Sequence, residues 1–333
     1  MSTPEIEQIC ERIGSSVQMS RDVPLSGMSR WRIGGLADLV IQPRTPEEAA
    51  NIFRMLHEVS SPFVVVGDGS NILFDDEGLR VPLVTITRAF GHFIDLGGGR
   101  IRAGAGIWVP QFVRRVLSLG LKGAEHAIGI PGTLGGLIVM NGGSRRQGIG
   151  DSINSVTVYD RFGDMEILSR EECQFAYRRS AFQDANLLVA EAEFFFEEAA
   201  PAELRRDAVG ILAERKRKFP RYLPNCGSVF VSDPEMYDTV GPPGHAIEAA
   251  GLKGYRVGDA QISPQHANFF VNCGNASSSD VLTLINLARQ TVFDRTGFWM
   301  QCEVRHMLPN GVLRPAHESA SEYSLPIVNA SAS

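Results

Sequence analysis

The chain has no surplus of positive charge, no paired cysteines and no long apolar run, and each absence removes a class of function. Lys and Arg total 32 against 38 Asp and Glu, a formal net charge of -6, so a polyanion-binding surface is not its main business and nucleic acid is not an expected partner. The five cysteines, Cys10, Cys173, Cys226, Cys273 and Cys302, are scattered without Cys-x-x-Cys spacing. That excludes zinc knuckles and dithiol redox motifs, leaves no metal site to expect, and reads as reduced, mostly buried thiols. No uninterrupted apolar stretch is long enough for a bilayer, and Met1 to Ile13 lacks a basic start followed by an apolar core. A cytoplasmic protein without a membrane partner is therefore expected. Missing too is the third glycine of Gly-x-Gly-x-x-Gly after Val66. The sequence continues Gly67-Asp68-Gly69-Ser70-Asn71, then Ile72-Leu73-Phe74 as a short strand and Asp75-Asp76-Glu77-Gly78 as an acidic turn, where a Rossmann fold needs a helix.

What is present is a mixed α and β pattern over 333 residues, long enough for two or three units. Thr45-Pro46-Glu47-Glu48 combines an N-cap, a proline at the first helical position and carboxylates in the first turn, which predicts a helix to about Val59. Phe63 to Val66 reads as a buried strand, Leu83 to Ala105 as β-rich, and Trp108 to Leu119 as a helix. Val156–Tyr159 and Met165–Leu168 flank Asp160-Arg161-Phe162-Gly163 as a hairpin, and Leu187 to Phe196 reads as a long strand. Glu197 to Glu203, with Pro201, reads as a linker before a basic helix from Ala202 to Lys218. Ser279-Asp280 caps a helix that Gly297 ends, before a strand holding Glu303. From Leu308 to Ser333 the composition shifts to Pro, Ser and Ala, which predicts a mobile tail.

Four stretches invite a chemical reading, each beside a plainer one. Gly67 to Asn71, following a strand, is either a backbone cradle for a phosphate group or a tight turn. Gly129 to Gly143 is apolar enough to be buried yet too rich in glycine for an ordinary helix, so it reads as backbone on which a ligand lies, or as a closely packed turn. In Tyr177-Arg178-Arg179 one guanidinium faces a ligand or the pair caps a turn. Leu223 to Phe230 places Ser228 between a glycine and an apolar run, after the basic Arg215 to Lys218: a proton-delivering hydroxyl or a turn residue.

In order, these segments resemble the UDP-N-acetylenolpyruvoylglucosamine reductase family, the MurB flavoenzymes of peptidoglycan precursor synthesis, over roughly Pro24 to Met307. The resemblance is carried by Arg32-Ile33-Gly34-Gly35-Leu36-Ala37-Asp38, Gly67 to Asn71, Gly129 to Gly136 with Met140-Asn141, Tyr177-Arg178, Asn225 to Phe230, Ala250 to Gly254 and Glu303-Val304-Arg305. It is similar to the subclass without the extra tyrosine-bearing loop. What the resemblance implies is an α+β protein: a two-lobed FAD-binding domain of the vanillyl-alcohol-oxidase (PCMH) type plus a third, substrate-binding α+β domain. On that basis the N-terminal helix falls in residues 1–20, the lobes in 21–88 and 89–200, the substrate-binding domain in 201–307 and the tail in 308–333.

The same resemblance implies non-covalent FAD, NADPH as reductant and a UDP-sugar substrate, in a monomer or weak oligomer. Its motifs assign FAD contacts to Arg32, Gly67, Asp68, Gly69, Ser70, Asn71, Gly129, Ile130, Pro131, Gly132, Thr133, Gly135, Gly136 and Asn141. Substrate contacts fall to Arg215, Lys218 and Lys253, and catalysis to Arg178, Ser228 and Glu303. The chemistry suits those residue types. Hydride addition to an enolpyruvyl group leaves an enolate: Arg178 can grip its carboxylate by two hydrogen bonds, a protonated Glu303 can donate to it, and Ser228 can give a proton to carbon. The chain departs from the family pattern at Val231 and His245, where lysines are usual, and at Gln301-Cys302 in place of Glu-Pro. Two alternatives therefore stand beside the reductase: a relative acting on another unsaturated carboxylate, and a non-catalytic flavin-binding module.

Overall fold

The computed structural model describes residues 1–86, 88–183 and 187–324. They divide into two compact units, each assembled from three pieces of chain. The first comprises Met1–Val23, Ala37–Asp68 and Arg80–Arg217; the second comprises Pro24–Leu36, Gly69–Leu79 and the chain from Lys218 onward. Each has its own apolar core. The Gly67 to Asn71 motif is thus shared, with Gly67 and Asp68 in the first unit and Gly69 to Asn71 in the second.

The first unit contains two larger sheets, besides the short pairing of Glu197–Glu198 with Leu121–Lys122. One runs in the order Gln18–Pro24, Leu36–Gln42, Leu83–Thr85, Val64–Val66, with parallel pairing of Val40 to Leu83 and of Val64 to Leu83. The other is antiparallel, in the order Met165–Ser169, Ile153–Tyr159, Leu188–Phe195, Arg100–Gly104, Phe93–Gly97. Helix Pro46–Glu58 starts where the sequence places it, because Thr45 Oγ1 accepts the Glu48 N–H at 3.1 Å and Pro46 needs no donor partner. It buries Ala49, Ile52, Phe53 and Leu56, and a fully buried Phe or Leu side chain contributes about 1.5–3 kcal/mol.

The second unit is built on helix Ser278–Thr296. Ser277 Oγ accepts the Asp280 N–H and the Asp280 carboxylate accepts the Ser277 N–H, both at 3.0 Å, and Gly297 closes the far end in the left-handed region at φ +74°. The acidic turn after Phe74 serves this helix: the Asp76 carboxylate accepts the N–H and the hydroxyl of Ser278, each at 2.8 Å. A three-stranded sheet, Leu313–Pro315, Arg305–Met307, Ile72–Phe74, pairs Ile72 with Arg305 in parallel. A second sheet pairs Arg256–Val257, Ala260–Ile262 and Phe270–Asn272.

Four sequence expectations are corrected. Leu134–Val139 is a helix despite Gly135 and Gly136, because Thr133 caps it and Leu134, Leu137 and Ile138 are buried; burial outweighs an intrinsic penalty of about 1 kcal/mol per glycine. Glu303 precedes its strand, which is Arg305–Met307. The linker at 197–203 is instead a short strand, Glu197–Glu198, and the start of helix Pro201–Lys218. The early part of the expected tail is ordered: Leu313–Pro315 pairs with Arg305–Met307, and Ala316–Ala320 is a helix with Ala316 and Ala320 buried. Residues 325–333 of that segment lie outside the described residues.

Candidate active site

In the first unit the two glycine motifs meet. A Cβ on Gly67 would lie 2.4 Å from Thr133 Oγ1, so the end of strand Val64–Val66 touches the N-cap of helix Leu134–Val139 only because Gly67 has no side chain. The first helical donors are used by the protein: Leu134 N–H goes to Ile107 at 2.9 Å, Gly135 N–H to Ala105 at 2.8 Å, and Gly136 N–H to Thr133 Oγ1 at 3.3 Å. Among the described residues no protein acceptor takes the N–H of Gly67, Gly132 or Thr133. Gly136 is exposed, and beyond its own helix backbone and chain neighbours an added Cβ would meet Thr133 Oγ1 at 3.4 Å. Unused backbone donors beside a surface without side chains fit a phosphate-bearing cofactor such as FAD.

Cations gather in the same unit. Arg178 has φ +57° and donates from Nη2 to the Gly143 carbonyl at 2.9 Å. It is half-buried, whereas Arg179 is exposed. A Cβ on Gly129 would lie 3.3 Å from Arg215 Nε, so helix Pro201–Lys218 brings Arg215 to the second glycine motif. Burial, and then the Arg178 guanidinium, push Arg215 below its ordinary range. Two like charges close enough to disfavour one another are an arrangement that an anion stabilises. Asn141 is spent on the scaffold, its Nδ2 donating to Ala176 at 2.8 Å and its Oδ1 accepting Gly150 N–H at 2.9 Å.

The second unit joins Ser228 to Glu303 through backbone. Ser228 bridges to Phe269 and Phe230 bridges to Cys302; Glu303 N–H donates to the Val229 carbonyl at 2.8 Å. The Glu303 carbonyl accepts from Asn71 Nδ2 at 3.0 Å, and Arg305 N–H returns to the Asn71 carbonyl at 3.1 Å. Ser228 is half-buried, and among the described residues its hydroxyl has no hydrogen-bond partner. A Cβ on Gly69 would lie 2.1 Å from the Met28 carbonyl oxygen, at φ +60°, which ties the motif to the chain before Arg32. Arg32 is exposed, at φ +57°. Lys253 pairs with Glu248 at 2.7 Å, and Lys218 is exposed, 5.9 Å over the Phe219 ring. Arg178 and Arg215 belong to the first unit, and Ser228, Glu303, Lys218 and Lys253 to the second.

Two residues escape sequence reasoning. Asn268 brackets Phe230, accepting its N–H and donating to its carbonyl, each at 2.9 Å, while its own carbonyl takes Val229 N–H at 2.8 Å. Its only signal is a polar residue inside an apolar run. His126 is 3% exposed, and among the described residues its Nδ1 has no partner. Burial holds it neutral, against the opposing charges of Asp151 and Glu125, and nothing in its sequence context marks it.

Comparison with known proteins bears on both units. A family model for an FAD binding domain matches residues 37–169, and one for the C-terminal domain of UDP-N-acetylenolpyruvoylglucosamine reductase matches residues 219–307. UDP-N-acetylenolpyruvoylglucosamine reductase 1 of Corynebacterium glutamicum is 48% identical over 305 residues, 92% of this chain and 91% of that one. The reductase of Synechococcus sp. (strain WH7803) is 39% identical, covering 87% of this chain and 93% of its own. The crystal structure of UDP-N-acetylenolpyruvylglucosamine reductase (MurB) from Thermus caldophilus superposes with a TM-score of 0.72 at 30% identity, over 87% of this chain and 98% of that chain. Identity at this level across nearly the full length of both partners leaves one conclusion: the chain belongs to the UDP-N-acetylenolpyruvoylglucosamine reductase (MurB) family.

Proposed function

We propose that this chain reduces the enolpyruvyl group of UDP-N-acetylglucosamine enolpyruvate to give UDP-N-acetylmuramate, with NADPH as reductant, in the cytoplasmic stage of peptidoglycan precursor synthesis. The family supports the reaction. The observation that carries it to this chain is the backbone bond from Glu303 to Val229, which fixes the carboxyl-bearing residue beside the Ser228 stretch. Bound flavin supplies the hydride. By the family's motifs, the residues that would hold it are Arg32, Gly67 to Asn71, Gly129 to Thr133, Gly135 and Gly136, with the Asn141 side chain bracing the second motif through Ala176 and Gly150.

The chain's own groups manage charge and protons. Arg178 pairs with the substrate carboxylate through its planar donors. Glu303, when protonated, donates to the enolate oxygen, and Ser228 delivers the proton to carbon. Arg215, Lys218 and Lys253 bind the anionic nucleotide sugar. The same reading expects a monomer or weak oligomer with no nucleic-acid or membrane partner, and no helix among the described residues is long and apolar enough to cross a membrane.

The test is the colour of the purified protein. It should be yellow, release FAD on denaturation, bleach with NADPH under anaerobic conditions and regain colour on addition of the enolpyruvyl nucleotide sugar. One feature favours a second reading, a relative with another unsaturated carboxylate as substrate: Val231 is half-buried and His245 exposed where the family pattern has lysines. Colour that returns with a different carboxylate and not with the nucleotide sugar selects that reading. Flavin that never bleaches selects a binding module.

A further inference from the structure

The residues on either side of Glu303 are held by chain beyond residue 307, where the C-terminal family match stops. Cys302 N–H donates to His317 Nδ1 at 3.1 Å, and the Val304 carbonyl accepts the Ala316 N–H at 3.0 Å. Upstream, Arg289 Nε donates to the Met300 carbonyl at 2.7 Å and Val231 N–H to the Gln301 carbonyl at 2.9 Å. With the bonds from Val229 and Asn71, the backbone about Glu303 is clamped from several directions, and the C-terminal helix supplies both flanking contacts. That helix is itself anchored. Ser319 Oγ is 2.8 Å from His306 Nδ1 and accepts from Arg314 Nε at 2.7 Å, and His306 Nε2 lies 3.3 Å from Asp75 Oδ2.

We infer that Leu313–Ala320 is a positioning element for Glu303 and that His317 is its positioning residue, fixing through Cys302 the backbone from which the Glu303 carboxyl projects. The inference rests on the reading of Glu303 given above. A ring nitrogen accepts an N–H only while it carries no proton, so the contact requires neutral His317 with its proton on Nε2. The charges acting on the ring are Arg289 from helix Ser278–Thr296 and Glu318 from its own helix, and the Cys302 thiol meets the His317 backbone. Burial and then Arg289 keep it neutral, against Glu318. Burial also pushes the Cys302 thiol up, so it brings no charge.

The experiment compares His317→Leu, His317→Asn, Glu303→Gln and the His317→Leu/Glu303→Gln double variant in the flavin-loaded protein. Leucine fills the space without an acceptor, whereas the asparagine Oδ1 can take the same N–H. His317→Leu should leave flavin reduction by NADPH unchanged and slow reoxidation by the enolpyruvyl nucleotide sugar by about 10-fold or more, the scale of a small misplacement of a reacting group. His317→Asn should recover most of that loss. The double variant should be no slower than Glu303→Gln, because both changes act on one group. Amide-hydrogen exchange across residues 300–305 should rise in His317→Leu even after flavin is removed, a readout that holds whatever the turnover. Full reoxidation in Glu303→Gln overturns the Glu303 reading, and this inference with it. A slow Glu303→Gln beside a fast His317→Leu, multiplying effects in the double variant, or unchanged exchange overturns the positioning role alone.

Discussion

The side-chain amide of Asn71 donates to the carbonyl of Glu303 at 3.0 Å, across 232 residues of sequence. The neighbouring Ile72 pairs in parallel with Arg305, so the end of the glycine motif and the acidic motif form one piece of scaffold. A hydrogen bond of this kind contributes about 1 kcal/mol net; its larger effect is to fix Glu303 to the same backbone as Gly69 and Ser70.

The contact between Gly67 and Thr133 predicts a specific failure. In Gly67→Ala the methyl would lie 2.4 Å from Thr133 Oγ1, and that oxygen also accepts Gly136 N–H at 3.3 Å, so it cannot move aside without loosening the cap. The cost should be about 1–2 kcal/mol of stability, the range for cap loss and local overpacking, together with weaker FAD binding. Thermal melting and titration of FAD into the flavin-free protein measure both, and wild-type affinity in Gly67→Ala would remove the cradle from the account.

Arg178→Lys should lose about 10²-fold in kcat/KM, about 2.7 kcal/mol of transition-state stabilisation. A point ammonium keeps the charge but not the two-bond grip on a carboxylate. Melting temperature should hardly change, and Arg179→Lys, at an exposed position, should be near wild type. Equal activity in the two variants would return Arg178 to the role of a turn residue.

Acid should destabilise the protein well above the range of carboxylate titration. Burial, and then Lys218, lower the His266 pKa from 6.5 to about 4, and burial lowers His126, His306 and His317 as well. Above about pH 6.5 these rings are neutral in both folded and unfolded chains and contribute no pH dependence. Between about 6.5 and 4 the unfolded chain binds protons that the folded chain refuses, so stability falls as pH falls. Urea melts at pH 7.5, 6 and 5 should show a steady loss, reduced in His266→Gln. A flat profile over that range would contradict the burial of these rings.

Much of the scaffold is legible in the sequence, because caps and buried faces are local. Thr45-Pro46 and Gly297 mark helix ends where the structure has them. The errors occur where tertiary burial overrides local preference. Leu134–Val139 is helical because Leu134, Leu137 and Ile138 find a core, which glycine counting cannot register. Leu313–Ala320 is ordered because Arg305–Met307 offers a strand edge and Ala316 and Ala320 are buried, though its composition resembles a tail. Within the candidate site, the motifs proposed to bear its chemistry are visible as residue types. Their partnerships are not: Gly67 with Thr133 and Asn71 with Glu303 are long-range contacts with no local pattern. Asn268, which holds the Ser228 stretch by three hydrogen bonds, shows in sequence only as a polar interruption.

The central claim is that Ser228 delivers a proton to carbon, and stopped-flow measurement of the two half-reactions in Ser228→Ala tests it most directly. Flavin reduction by NADPH precedes any enolate and should proceed at the wild-type rate. Reoxidation by the enolpyruvyl nucleotide sugar should slow by about 10² to 10⁴, the usual loss on removing a well-placed acid, with substrate binding, read from the oxidised flavin spectrum, close to normal. Slower reduction, or reoxidation at the wild-type rate, would contradict the account and leave Ser228 a turn residue or a nicotinamide contact.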